Sequence, residues 1–276
     1  MTREEMVAHI RARFDHEAEK VRRQWNSPRG TATRHCTIDT LLPEDVAANV
    51  YRAFPANGTG FEYRSTFRER KRTSYNLDTV PRILADVTYA LQDPEVVSKI
   101  SELTGLEGIE PDPHLYAGGL SMMFRGDFLN PHIDNSHDRD KDRYRRINLL
   151  YYVTPDWEVN NGGNLELWDD QVSSPVTICS SFNRLVLMET NRRSWHSVSP
   201  VKVADLPRCC VSSYYFSKNS PTGRDYYHVT SFTGRPGQIV RRTIGALDNA
   251  ARTLARNLGA RRRSDSGYEG ELTRLS

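Results

Sequence analysis

The sequence predicts a mainly β protein, a sandwich or jelly roll with helices packed on it from the N-terminal side. Three observations carry this expectation. From Leu115 onward, short apolar runs recur with turn residues between them. Ahead of that point, apolar residues fall instead at helical spacing. Among the β-like runs stand two histidines and an aspartate in an order that suits a single metal ion.

Residues 1–24 read as one helix, with Met6, Ile10, Phe14 and Val21 apolar among many charges. Asn26-Ser27-Pro28-Arg29-Gly30 breaks it. A second helix starts at Pro43, a good first-turn residue, with Glu44 and Asp45 at its positive end, and runs to about Phe54. Residues 55–78 are polar and irregular and contain the run Arg68-Glu69-Arg70-Lys71-Arg72. That run is read as a solvated loop, with a substrate-facing loop as the alternative. A further helix is expected over Val80–Leu91. Asp93-Pro94 then supplies an N-cap and a first-turn proline, and Gly105 a C-terminal stop. Val96, Val97, Ile100 and Leu103 lie on one side of that helix, the side to pack on a sheet.

The period changes at Leu115. Strand-like runs cover 119–124, 146–153, 164–168, 184–188 and 209–216. Thr154-Pro155-Asp156, Asn160-Asn161-Gly162-Gly163 and Ser173-Ser174-Pro175 supply turns between them. The end of the chain changes character again. Gln238 to Leu258 places Ile239, Ile244, Leu247, Ala251, Leu254 and Leu258 at helical spacing, with Arg241, Arg242, Arg252 and Arg256 opposite. This predicts an amphipathic basic helix, either docked with a solvated basic face or contacting an anionic surface. Gly259 stops it, Arg261-Arg262-Arg263 follows, and residues 264–276 read as disordered.

With 276 residues the chain can bury one sizeable core or two small ones. Its apolar fraction of 37% and charged fraction of 26% suit a soluble globular protein. No apolar run reaches bilayer length, and Met1-Thr2-Arg3-Glu4-Glu5 lacks a signal-peptide core, so a cytoplasmic protein without a transmembrane segment is expected. Cys36, Cys179, Cys209 and Cys210 show no Cys-x-x-Cys spacing and suggest neither a zinc site nor a disulfide framework. A net charge of +3 is too small to imply a nucleic-acid partner.

The chemistry centres on Asn130-Pro131-His132-Ile133-Asp134. In an extended strand, positions i and i+2 share a face, so His132 and Asp134 project together. About sixty residues on, Arg193-Ser194-Trp195-His196 offers a second imidazole. Two histidines and one carboxylate with an open opposite face is the ligand set of non-haem Fe(II) oxygenases. A lone His-x-Asp is common among surface residues, so the surrounding order of motifs decides. Gly162-Gly163 sits in no phosphate-binding fingerprint and is read as a tight connection. Trp157, Trp168 and Trp195 are read as core or cavity wall. His35, His114, His137 and His228 lack ligand spacing, and His137 is placed in a surface loop, with the mouth of the site as the alternative. No Ser, Cys or His stands in a nucleophile motif.

The β-rich stretch taken whole runs from His132-x-Asp134 through Tyr151-Tyr152, Asp156-Trp157, Gly162-Gly163, Leu165-Glu166-Leu167 and Trp195-His196-Ser197-Val198-Ser199-Pro200 to Arg208. It resembles the iron- and 2-oxoglutarate-dependent dioxygenases of the prolyl-4-hydroxylase-like branch over roughly residues 113–218. The resemblance implies a double-stranded β-helix, a jelly roll buttressed by the N-terminal helices, as a domain of residues 1–234. Residues 235–276 would form the basic helix and tail. His132, Asp134 and His196 match the iron triad. Arg208, twelve residues after His196, matches the basic residue that pairs with the distal carboxylate of 2-oxoglutarate, a role that suits a guanidinium fork. Arg192 and Arg193 compete for that role but precede the distal histidine. Tyr152 and Ser212 are candidate hydroxyl donors to the same carboxylate. Asn148, on the Tyr152 face by alternation, is a candidate wall of the cosubstrate site.

The implied cofactors are Fe(II), 2-oxoglutarate and O2, with ascorbate as a further candidate. The implied activity is hydroxylation of an unactivated C–H bond, with release of succinate and CO2. Asp134 disfavours halogenation, because related halogenases carry a small residue there. The substrate is a prolyl or other amino-acid-like group on a small molecule, a carrier or a peptide, with a lean towards the first two. The alternative from another class is a catalytically silent jelly-roll binding module.

Overall fold

The computed structural model describes residues 1–238. The elements run α1 (Arg3–His16), α2 (Ala18–Asn26), β1 (His35–Asp39), α3 (Glu44–Arg52), β2 (Glu62–Ser65), β3 (Glu69–Ser74), α4 (Arg82–Leu91), α5 (Pro94–Thr104), β4 (Glu110–Pro111), β5 (Gly119–Met123), β6 (Phe128–Ile133) and β7 (Tyr144–Tyr152). They continue with β8 (Leu165–Trp168), β9 (Pro175–Ile178), β10 (Arg184–Glu189), β11 (His196–Val198), β12 (Arg208–Ser217) and β13 (Ser231–Phe232). The strands join in one antiparallel sheet of order β1-β10-β7-β12-β5-β3-β6-β11-β8-β9, with β2 on β3, β4 on β12 and β13 on β6. The sheet curls into the half-barrel of a double-stranded β-helix, and the N-terminal helices back it.

Strand alternation sorts the two faces. On β7 and β12, Ile147, Leu149, Tyr151, Cys209, Val211 and Tyr215 are buried in a core shared with α1, α2, α4 and α5. That core also takes Met6, Ile10, Phe14 and Val21, the apolar set expected of the first helix. The intervening residues face the inside of the curl, where Tyr152 and Cys210 pack with Leu165, Leu167, Val186 and Met188. Each fully buried side chain of this size contributes about 1.5–3 kcal/mol, so the helical layer is a structural requirement of the sheet.

Several helix signals act as expected. Asp93 caps α5, its side chain accepting from the Glu95 N–H at 2.9 Å. Gly105 ends it in the left-handed conformation at φ 68°. Residues 1–24 form two helices rather than one, because Glu17 (φ −95°, ψ 6°) interrupts the turn between α1 and α2.

The irregular stretch expected over 55–78, with its basic run over 68–72 read as a solvated loop, is a correction. Residues 62–74 form the hairpin β2–β3, and β3 pairs with both β5 and β6. Its charges alternate as a strand's do. Glu69, Lys71 and Thr73 line the interior cavity, while the Arg70 and Arg72 guanidiniums lie over the Phe128 and Phe124 rings at 5.2 and 4.6 Å. Strands β1, β9 and β13 carry no signal in the sequence reading. The basic helix expected from Gln238 to Leu258 and the tail after it lie outside the described residues, except for Gln238 itself. No helix among the described residues is long and apolar enough to cross a membrane.

Candidate metal centre and active-site cavity

Strand pairing assembles the ligands. β11 pairs antiparallel with β6, and His196 stands directly opposite His132. Asp134 follows the end of β6, two residues on from His132 and on the same face. All three are buried, and their ligand atoms lie within 4.8 Å of one another. Asp134 Oδ1 is 3.6 Å from His132 Nε2, and Oδ2 is 3.7 Å from His196 Nε2. The other ring nitrogens are occupied in the same way. His132 Nδ1 donates to the Asn130 carbonyl at 3.0 Å, and His196 Nδ1 donates to the Ser194 carbonyl at 2.9 Å. This fixes the tautomer and leaves each Nε2 lone pair turned towards Asp134, the arrangement that orients metal-ligating histidines. Phe232 of β13 stacks on the His132 ring at 5.1 Å.

The electrostatics suit a cation. Burial by itself would raise the Asp134 carboxyl, but His196, Arg145 and His132 around it hold it well below the usual carboxylate range. Burial, joined by the neighbouring His132, lowers His196 to about 4. Near neutral pH the centre therefore offers a carboxylate and a neutral imidazole at His196. Asp134 Oδ2 has no hydrogen-bond partner. A buried anionic oxygen without a donor, facing two imidazole lone pairs, fits a bound metal ion.

The triad opens onto a cavity of about 650 Å³. Arg208, Ser212 and Asn148 line it. Arg208 is 3% exposed; its Nε donates to Ser180 Oγ at 3.2 Å, and its guanidinium lies over the Tyr152 ring at 4.6 Å. Among the described residues no carboxylate forms an ion pair with it. Gly163 makes room for it. At φ 62°, a Cβ there would stand 3.1 Å from Arg208 Cδ and 2.9 Å from the Trp157 ring. Tyr152 lies behind Arg208, fully buried, and its hydroxyl sits near Arg208 and Ser180 without meeting hydrogen-bond geometry with either. Burial pushes that phenol up to about 12, so it stays a donor. A buried guanidinium and a buried phenol, both lacking an acceptor of matching charge, fit an anionic ligand group.

Ser212 Oγ donates to the Gly119 carbonyl at 3.3 Å. Asn148 stands opposite Tyr214 on β12, its Nδ2 donating to the Tyr214 hydroxyl at 3.4 Å, and its Oδ1 has no partner. Arg192 and Arg193 do not line the cavity; Arg193 is exposed and paired with Asp170.

One residue that the sequence did not point to belongs to the site. Arg145, 2% exposed, lines the cavity with Nη1 3.5 Å from Asp134 Oδ1, and its guanidinium stacks 3.9 Å over the Tyr214 ring. Simple alternation from Asn148 puts Arg145 on the helix side. A register shift in β7 overturns this. Tyr215 pairs with Ile147 but Phe216 pairs with Arg145, so Arg146 is the extra residue and Arg145 turns inward. The expected surface position of His137 is a further correction. His137 is buried between the Tyr144 and Tyr227 rings, at 4.4 and 5.3 Å, and burial lowers it. Trp157 and Trp168 are buried with their indole N–H groups donating to Gly162 O and Ser197 Oγ.

Comparison with known proteins agrees with this geometry. Residues 118–216 match the model of the 2OG-Fe(II) oxygenase superfamily. The chain is 31% identical over 130 residues to prolyl 3-hydroxylase OGFOD1 of Mus musculus, a match spanning 45% of this chain and 23% of that protein. It therefore spans about a quarter of that relative's length. Two solved structures share the fold. One is a prolyl hydroxylase from Trichoplax adhaerens in complex with a hypoxia inducible factor oxygen degradation domain peptide fragment (TM-score 0.54, 18% identity, 77% of this chain and 94% of that one). The other is a Pseudomonas putida prolyl-4-hydroxylase (TM-score 0.53, 16% identity, 74% of this chain and 100% of that one). The buried two-histidine, one-carboxylate centre lies within the stretch that matches the 2OG-Fe(II) oxygenase model and supports dioxygenase catalysis, and the fold around it is similar to that of the two prolyl hydroxylases.

Proposed function

We propose that this protein is an Fe(II)- and 2-oxoglutarate-dependent hydroxylase acting on a prolyl or other amino-acid-like substrate. The observation that carries it is the buried triad of His132, Asp134 and His196 lining one cavity with the buried Arg208, whose guanidinium has no ion-pair partner among the described residues. His132, Asp134 and His196 would hold Fe(II). Arg208 would grip the distal carboxylate of 2-oxoglutarate, with the buried Tyr152 ring backing its guanidinium. When bound, iron, 2-oxoglutarate and O2 together supply an oxidant strong enough to break an unactivated C–H bond, with succinate and CO2 as co-products.

The chain's own residues set the conditions for that chemistry. The backbone carbonyls of Asn130 and Ser194 keep both imidazoles turned to the ion. Phe232 and Leu165 close apolar surface around the triad, which limits bulk water. Arg208 and Arg145 stand on different strands and divide the cavity between two anionic or acceptor-bearing groups. The 31% identity to a prolyl 3-hydroxylase supports the prolyl reading of the substrate.

The test is succinate formation from 2-oxoglutarate across free amino acids, carrier-bound amino acids and proline-rich peptides, with product mass rising by one oxygen atom. Before turnover, Fe(II) and 2-oxoglutarate added without oxygen should give a weak visible charge-transfer band. A folded protein that shows neither the band nor succinate overturns the reading.

A further inference from the structure

Arg145 is a buried cation with spare hydrogen-bonding capacity. It is 2% exposed, and neither Nε nor Nη2 has a hydrogen-bond partner among the described residues. Among the described residues its one ion pair is Nη1 to Asp134 Oδ1, at 3.5 Å and without a hydrogen bond, while the buried Asp112 carboxylate acts on it at longer range. The face of the guanidinium rests on the Tyr214 ring at 3.9 Å, so its edge is the part left to a ligand. The register shift in β7 is what brings it to the cavity. Unmade hydrogen bonds on a buried charged group are costly, and a charged group in this state beside a metal centre needs an acceptor.

The charges of the assembled site say what kind of acceptor. This step rests on the function proposed above. A divalent ion is offset by Asp134 and by the carboxylate of 2-oxoglutarate that binds it, and Arg208 is offset by the distal carboxylate. Asp134 is then committed to the metal, and Arg145 keeps no contacting anion: the nearby Asp112 carboxylate accepts from the His114 and Tyr116 N–H groups and makes no ion pair with it. Among the described residues the cavity lining adds no free anion: Glu69 is held by Lys71 at 2.9 Å, and Arg64 and Arg139 also line the cavity. A neutral peptide segment brings carbonyl acceptors but no charge. A substrate with a free carboxylate brings both, in the planar form that matches a guanidinium edge.

We propose that Arg145 binds a carboxylate of the substrate, so that the enzyme takes a free amino acid or similar carboxylate-bearing small molecule rather than an internal peptide residue. Arg145 is then a specificity-determining residue, read through Nε and Nη2, while Nη1 steadies Asp134.

The experiment uses the full chain loaded with Ni(II) and 2-oxoglutarate, which allows binding without turnover. A panel of free L-amino acids, proline included, is titrated by calorimetry against the same amino acids as carboxamides. At least one acid should bind about 30-fold or more tightly than its amide, as expected for loss of a buried charge pair. Arg145→Gln should bring acid and amide within about threefold of each other, and Arg145→Lys should restore part of the preference. Ni(II) affinity measured in parallel separates this from a purely supporting role. If Arg145→Gln loses the metal and keeps the acid preference at saturating Ni(II), Arg145 only positions Asp134 and the inference is overturned. The inference also fails if no acid in the panel outbinds its amide in protein that has bound Ni(II) and 2-oxoglutarate. Failure of the wild type to bind either of those is a different result, which sinks the hydroxylase reading itself.

Discussion

Replacing Arg208 by methionine tests the cosubstrate assignment most directly. Arg208 is 3% exposed, touches Ser180 Oγ through Nε at 3.2 Å, and has no carboxylate partner among the described residues. If its guanidinium pairs with the distal carboxylate of 2-oxoglutarate, the variant leaves that carboxylate buried and unpaired. Loss of such a pair costs about 2–5 kcal/mol. At about 1.4 kcal/mol per tenfold change, this is roughly a 30- to 4,000-fold weaker affinity. Calorimetric titration of 2-oxoglutarate into Ni(II)-loaded protein measures it. Metal affinity should change little, because Arg208 does not touch the triad. Arg208→Lys should recover part of the loss, since an ammonium keeps the charge but not the fork. The metal-free protein gives an independent sign. Methionine removes a buried cation that lacks an anionic partner, so its Tm should hold or rise. Arg193→Ala is the control, because Arg193 is exposed and bound to Asp170. A large loss of 2-oxoglutarate affinity in Arg193→Ala, with none in Arg208→Met, refutes the assignment.

Three other outcomes are expected. His132→Ala and His196→Ala should each lose Fe(II) or Ni(II) binding and succinate formation while keeping the circular dichroism of the folded sheet; wild-type turnover at limiting iron in either variant removes that residue from the triad. The metal-free protein should lose stability as pH falls from about 6.5 to about 4. His196 is lowered to about 4 by burial, so in that window the unfolded chain binds a proton that the folded one does not, and stability rises with pH. His137 and His228, both lowered by burial, act in the same direction. Urea titrations at pH 7 and pH 5 measure this, and equal midpoints would contradict the buried neutral state of His196. Removal of residues 239–276 should leave metal and 2-oxoglutarate affinity unchanged, since the triad and Arg208 all lie between residues 132 and 208, and should weaken binding to acidic vesicles if the basic segment contacts an anionic surface. Loss of metal affinity on truncation would tie that segment to the centre.

The triad was legible because its signal is local and chemical. A histidine and an aspartate two apart in a strand must share a face, and β6 supplies such a strand up to Ile133. Helix α5 was legible for a similar reason, as Asp93, Pro94 and Gly105 each act through their own backbone. Long-range pairing was less accessible. Strand β1 is only five residues long and is held by β10, about 150 positions away, so its identity depends on its partner. The hairpin β2–β3 was misread because five consecutive charged residues look solvated. In the fold they alternate between the cavity and aromatic rings that cover their stems, as the 4.6 Å approach of Arg72 to both Tyr63 and Phe124 shows. His137 looked like a loop histidine because its burial depends on a bridge to Tyr144 and on Tyr227 from a distant stretch, whose rings enclose it.

Arg145 shows a limit of alternation as a guide to function. A period of two assigns every residue of β7 to a face, and it does so correctly from Ile147 to Tyr152. One unpaired residue then reverses the assignment for everything before it. Nothing in Tyr144-Arg145-Arg146 says which arginine is extra, because both are equally polar and both are buried at 2% and 9% exposure. The choice is made by the neighbours. Arg146 remains near Glu189, and Arg145 finds Asp134 and the Tyr214 ring. The tautomers of the ligands have the same character. His132 and His196 each donate to the carbonyl two residues before them, from Asn130 and Ser194, so backbone conformation rather than side-chain type aims both imidazoles at the ion. Replacing Asn130 or Ser194 by alanine therefore leaves that carbonyl in place, and the orientation of the ligands should survive it. The ligand set can thus be read from residue types, but its preorganisation is a property of the strands that carry it.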